Sequence, residues 1–239
     1  MRKRVHISVL MLAFVLGGCA TIPTYNPFQI PQSEFHLKIK SVAMSPLVIP
    51  KWVGSSAAVK SKMEDRIKAQ LEGAGFKIIP PEKFQEIWDR LLDQMGGVFD
   101  PLTGEIDKEK LETIRSYARR EVSLKYGVDA FLHPRIELVG AKVDGFSAIW
   151  DGTTDSIIFK EYYMAYHGLT EALSLSIIVE DTNGVDLYIN RGGIQVASKI
   201  YNGRFVSVPT SELLANEERN MEAVNIALKA LVEKPLPAK

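Results

Sequence analysis

Cys19 is the only cysteine among the 239 residues, and its thiol is the side chain with the most distinctive covalent chemistry in the sequence. A single cysteine excludes an internal disulfide framework. It closes the segment Leu16-Gly17-Gly18-Cys19, in which two residues without side chains leave the backbone open to a processing enzyme. The other groups able to do chemistry are dispersed. His36, His133 and His167 stand apart from other ligand-type residues at metal spacing, so no metal or other cofactor is expected. His133, beside Pro134 in an apolar run, reads as a strand residue. Asp151-Gly152-Thr153-Thr154-Asp155 has the acidic look of a calcium loop, but it lacks the further oxygen ligands and the closing glutamate. Turn chemistry is the better reading there. Arg119-Arg120 could grip an anion and reads more simply as a solvated helix face. Nucleophile elbows, zinc-protease helices, Walker loops and dinucleotide fingerprints are absent, and Glu161 and Glu171 are aligned with nothing. No enzyme is expected. One stretch has the composition of a protein contact surface: Phe159, Tyr162, Tyr163, Met164 and Tyr166. Core packing at a sheet corner is the alternative reading of these five.

The start of the chain supplies a setting for Cys19. Arg2, Lys3 and Arg4 precede an apolar run over residues 5–16, and small residues follow. Charge, apolar run and small residues in that order form a secretory signal. A dozen residues at about 1.5 Å each are too short to cross a hydrocarbon core of about 30 Å. Leu16-Gly17-Gly18-Cys19 resembles the bacterial lipobox, with Gly17 a less usual choice than alanine or serine. The resemblance implies diacylglyceryl transfer to the Cys19 sulfur, cleavage between Gly18 and Cys19, and acylation, typically with palmitate, of the new amino terminus. Two or more acyl chains give stable membrane attachment. Ala20, in place of the aspartate that commonly retains lipoproteins in the inner membrane, points to the outer membrane with the body in the periplasm.

Composition narrows the partners. Loss of Arg2, Lys3 and Arg4 with the leader leaves 26 basic against 29 acidic side chains, a net charge of −3. No basic excess remains to neutralise phosphates, so nucleic acid is not expected as a partner. Residues 19–36 read as the lipidated N-terminus and a tether broken by Pro23, Pro27 and Pro31, with an edge strand carrying Tyr25, Phe28 and Ile30 as the alternative. Residues 37–234 read as one domain and 235–239 as a tail.

Within the domain, a strand over 38–47, a helix over 57–73 and a strand over 76–79 form a βαβ unit. A helix over 82–95 carries Phe84, Ile87, Trp88, Leu91, Leu92 and Met95 on one face. Another covers 108–126 and stops at Gly127; a strand over 128–139 contains Pro134, which predicts an edge or a bulge. Beyond residue 140 the pairs Asp144-Gly145, Asp151-Gly152, Asn183-Gly184 and Asn202-Gly203 predict antiparallel hairpins. A long helix is predicted over 211–232. The fold class is α/β: a mixed sheet begun by a βαβ unit, extended by hairpins and covered by helices.

A lipobox, then Ser41-Val42-Ala43-Met44-Ser45-Pro46-Leu47, an amphipathic helix, Gly73-Ala74-Gly75-Phe76-Lys77-Ile78-Ile79, a second helix, and later Ile177-Ile178-Val179-Glu180-Asp181-Thr182-Asn183-Gly184 follow in order. The layout over residues 38–232 resembles the envelope lipoproteins related to curli-secretion-channel subunits and to outer-membrane activators of penicillin-binding proteins. These share an α/β domain akin to the N-terminal domain of the Tol system's propeller protein. The resemblance implies a non-enzymatic role: binding envelope proteins as an accessory or regulator of an assembly or secretion system. Self-association into a secretion pore is the alternative; residues 142–168 are the one candidate for a barrel hairpin, and their alternation is poor. Only Cys19 carries over as a functional residue.

Overall fold

The chain is docked on its own body well before residue 36, where the tether was expected to end. The computed structural model describes residues 25–54, 57–158 and 165–233. Within them Phe28 and Phe35 are buried, their rings meeting edge-to-face at 5.3 Å, and Phe28 meets Tyr188 at 5.0 Å. The first helix, α1 (Gln32–Lys38), follows directly on Pro31, and the Gln32 amide donates to the carbonyls of Ala230 and Glu233. The prolines set the bends, and burial of two phenylalanines holds the segment down.

β1 (Ser41–Met44) is buried at every position, as a parallel strand covered on both faces must be. α2 (Ala57–Gly73) lies on one face and leads to β2 (Lys77–Ile79), parallel to β1 with Val42 opposite Ile78. α3 (Pro81–Gln94) and α4 (Lys108–Tyr126) cross on the other face and lead to β3 (Ala130–Gly145), parallel to β1 on its other side. Met63, Ile67 and Leu71 of α2 enter the main core. Ile87, Leu91, Ile114, Ala118 and Val122 of α3 and α4 form a second cluster against Ala43 and Phe131. Asp107 caps α4, accepting from the Lys110 amide, and Gly127 ends it with φ +63.

The antiparallel half is more extensive than the turn pairs predicted. β4 (Ser147–Trp150) and β5 (Thr153–Ser156) form a ribbon; β6 (Tyr166–Asp181) pairs with β3 along its whole length. β7 (Asp186–Val196) pairs with β6, and β8 (Ser198–Tyr201) with β9 (Arg204–Ser207) forms a separate hairpin. Asp151-Gly152 (φ +37, +76) and Asn202-Gly203 (φ +48, +75) both have two positive φ values in succession, the condition for a type I′ hairpin turn. The β4–β5 ribbon folds back over β7, where the Gly193 amide donates to the Asp151 carbonyl. That closure encloses a third cluster including Ala141, Val143, Trp150, Val196 and Ile200.

Two expectations are corrected. Pro134 does not mark a sheet edge, since β3 is the central strand, paired with β6 on one side and β1 on the other; the irregularity expected there lies in its pairing with β1. β1 pairs only as far as Met44 opposite Leu132, and the chain returns at Val48 opposite Arg135. The missing N–H of Pro134 therefore falls where β1 has left the sheet. The last helix, α5 (Glu217–Val232), starts later than residue 211 because Leu214 takes φ +58 and Asn216 caps the helix by accepting from the Arg219 amide. Among the described residues no helix is long and apolar enough to cross a membrane.

Candidate functional site

β1 turns away from β3 at the point where helices change faces. α2 connects β1 to β2 on one face, and α3–α4 connect β2 to β3 on the other, so the C-terminal end of β1 beside β3 is a topological switch point. Pro46 and Pro134, one on each side of the gap, have no N–H to leave unpaired there. A cleft of about 470 Å³ opens at this place, lined from β1's exit by Ser45 and Val48, from β3 by His133 and Arg135, and from β6 by Ile178 and Glu180. Phe84 and Trp88 of α3 form its apolar wall, their rings nearly parallel at 16° with centroids 6.3 Å apart. α4 contributes Glu112, Arg115 and Arg119, spaced to share one helix face.

Arg119 is the best-held of these groups, its side chain only 14% exposed. It pairs with Glu112 at 3.0 Å and with Glu180 at 3.5 Å. Gly184, at φ +84, comes so close that a Cβ there would lie 2.9 Å from the Arg119 guanidinium carbon. The Arg119 hydrogen bond holds the Glu112 carboxyl below its usual range. Burial pushes Glu180 up against the opposing pull of Arg119.

His133 shares its face of β3 with Phe131 and Arg135. Its Nδ1 lies 3.0 Å from Ser45 Oγ and its Nε2 3.7 Å from Glu180 Oε2. Serine, imidazole and carboxylate in sequence suggest a nucleophile, a base and its orienting acid. The electrostatics oppose that use. Burial, and then Arg119, Arg115 and Arg135, bring the His133 pKa down from 6.5 to about 4, which makes the ring a weak base, uncharged at neutral pH. The Glu180 charge is answered by Arg119, with the imidazole neutral. Among the described residues no group of three His, Cys, Asp or Glu side chains is placed to hold a metal ion.

The depressed His133 pKa has a stability consequence. As pH falls below 6.5 the unfolded chain takes up the proton before the folded chain does. Stability is thus fully present above 6.5 and is lost between 6.5 and about 4. The full loss is on the order of 3 kcal/mol. His133→Gln should remove this component, so that urea melts of wild type and variant differ in pH dependence over that window. Parallel pH profiles would show that His133 does not titrate in this way.

At the other end of the sheet, where β3 (Ala130–Gly145) ends, apolar side chains face solvent. Phe146, Ile149, Leu169, Tyr201, Phe205 and Val206 are all exposed there, and Tyr166 packs edge-on against Phe205 at 5.1 Å. A larger trough of about 550 Å³ lies between α2 and α5, lined by Gln70, Asn225, Lys229 and aliphatic neighbours. The polar groups of Arg66 and Gln70 there are already bonded to Asn225.

Neither protein-family models nor curated proteins give a match to this sequence. Of the residues singled out from sequence, Tyr166 is described, as the first residue of β6. Gly18, Cys19, Phe159, Tyr162, Tyr163 and Met164 lie outside the described residues. Arg119 does not belong to the solvated face that was expected: α4 turns it into the cleft and leaves Arg120 exposed. His133 is the strand residue expected, with a cleft in front of it. The cleft as a whole went unread, although the spacing of Glu112, Arg115 and Arg119 was a usable signal.

Proposed function

We propose that this chain is an outer-membrane-tethered periplasmic lipoprotein that acts by binding another envelope protein, without catalysis, as an accessory of an envelope assembly or secretion system. The supporting observation is the set of apolar side chains left uncovered at the hairpin end of the sheet: Tyr166, Phe205, Tyr201, Phe146 and Leu169. Tyrosine and phenylalanine contribute disproportionately to protein interfaces when a partner covers them. Attachment through the lipid on Cys19 would raise the effective concentration of the body for partners at the same membrane. The solitary cysteine after Leu16-Gly17-Gly18 supports that attachment.

Two sets of variants test this reading. Cys19→Ala should remain an unprocessed precursor and fail to incorporate a palmitate analogue; undiminished labelling would remove the lipoprotein assignment. Tyr201→Ala and Phe205→Ala should each weaken capture of the same crosslinked envelope partner by about 1–3 kcal/mol. Tyr201 is half-exposed and Phe205 is 39% exposed with Tyr166 against one edge, so thermal melts should change little, least for Tyr201→Ala. Capture equal to wild type, or a lost fold, would withdraw this surface. Size-exclusion behaviour of the same samples separates a foreign partner from self-association.

A further inference from the structure

The cleft between β1, β3 and α4 is separate from the exposed hairpin end, and it has the features of a small-molecule site. We propose that it binds a small organic anion, a carboxylate or phosphomonoester borne on a flat apolar body, with Arg115 and Arg119 on the anionic group and Trp88 and Phe84 against the flat part.

Four observations converge on this ligand class. The first is position: in α/β sheets ligands bind beyond the C-terminal ends of parallel strands, at the switch point, and this cleft opens where β1 leaves β3. Its volume of about 470 Å³ falls in the range of pre-formed small-molecule sites. The second is charge. Three arginines line it against two glutamates, and although Arg135 also pairs with Glu137 beside the cleft, Arg115 and Arg119 on α4 present two guanidinium groups to it with His133 neutral. The third is preorganisation. Arg119 is fixed by Glu112 and Glu180 and closely backed by Gly184, which lowers the entropy lost when a guanidinium engages an anion. Arg115, in contrast, is half-exposed and has its carboxylate partner Glu112 at 3.5 Å, which leaves donor capacity of its fork for an incoming anion. The fourth is shape. Phe84 and Trp88 give one wall two aromatic rings, whereas the arginines and His133 come from α4 and β3. A purely inorganic ion would leave that wall unused.

Such an anion would also act on His133. Positive charge from three arginines helps hold the imidazole neutral. A bound carboxylate or phosphate offsets that field and favours the protonated ring, so ligand binding and proton uptake at His133 are coupled. The neighbours that set this response are Arg119 and Arg115 on α4, Arg135 on β3 with its partner Glu137, Glu180 on β6 and Glu112 on α4.

The experiment uses the processed full-length protein, titrated at low salt with phenyl phosphate, phenylacetate and the neutral analogue benzyl alcohol. Calorimetry measures affinity and the His133 ring resonance follows its titration. The expected result is saturable binding of at least one anion, an upward move of the His133 pKa from about 4, and no saturation by benzyl alcohol. Preference between phenyl phosphate and phenylacetate identifies the anionic group. Arg115→Ala, on the exposed side of α4, should keep its melting temperature and lose roughly tenfold in affinity, the scale of one charge-assisted contact. Arg119→Lys should weaken binding although the charge is kept, because the fork is lost. Binding of neither anion, equal binding of benzyl alcohol, or unchanged affinity in Arg115→Ala would overturn the proposal.

Discussion

Gly192→Ala should destabilise the domain by at least about 3 kcal/mol and lower Tm by about 10 °C, enough to threaten folding at physiological temperature. β7 carries Gly192 and Gly193 side by side, and they face opposite sides of the sheet. A Cβ on Gly192 would stand 2.0 Å from the carbonyl oxygen of Ala223 and 2.8 Å from its carbon. Both are backbone atoms of α5, so no rotamer change relieves the contact. The helix would have to lift, and lifting it separates Val224, Ala227 and Leu228 from the main core. It would also break the Tyr188 hydroxyl's 2.7 Å bond to the Ala227 carbonyl. On the other face a Cβ at Gly193 would meet Thr153 at 2.7 Å and the Trp150 indole at 2.8 Å, side chains of the β4–β5 ribbon. The double glycine thus serves close approach of two layers. Gly140→Ala in β3 is the control: its added Cβ has nothing within 4 Å, and the change should be neutral or slightly stabilising. Thermal melts of the two variants decide the matter; equal effects would show that contact with α5 is not what Gly192 provides.

What the sequence made legible follows from how locally each feature is encoded. The bounds of α2 and α4 were readable because apolar periodicity, Asp107 and Gly127 all lie within or beside the helix they define. The hairpin turns were readable because Asp-Gly and Asn-Gly state their own backbone preference. β5 was not, since Thr153-Thr154-Asp155-Ser156 has no apolar alternation and its buried member is a carboxylate. Phe28 and Phe35 looked like tether residues because the surface that buries them, including Tyr188 and Phe76, comes from distant parts of the chain. The cleft is the extreme case. Ser45, Trp88, Arg119, His133 and Glu180 converge from five elements, and no spacing rule connects them. Arg119 and Arg120 are adjacent in sequence and have opposite fates, which only the partner of α4 decides.

Arg219→Ala should cost about 3 kcal/mol at neutral pH, and the cost should shrink on acidification. Asp155, on the strand that sequence did not reveal, has a side chain only 4% exposed. Arg219 of α5 reaches both of its oxygens, at 2.6 and 2.8 Å, and the amides of Val196 and Ser156 donate to it as well. Burial by itself would raise the Asp155 pKa; the hydrogen bonds from Arg219 and the backbone outweigh it and hold the carboxyl below 3.8. A depressed folded pKa contributes stability that is present above the unfolded value and is lost as pH falls through the folded one. Remove Arg219 and the balance reverses. The carboxylate stays buried without its cation, its pKa rises, and the variant relieves its strain by protonating Asp155 as pH falls. The stability gap between wild type and Arg219→Ala should therefore be widest at pH 7 and narrow toward pH 4. Asp155→Asn in the Arg219→Ala background should recover part of the loss at pH 7, since it removes the uncompensated charge. Urea melts at the two pH values measure both effects. A gap that stays constant between pH 7 and pH 4 would mean that Arg219 stabilises the β5–β7–α5 junction through packing of its aliphatic stem and not through its charge on Asp155.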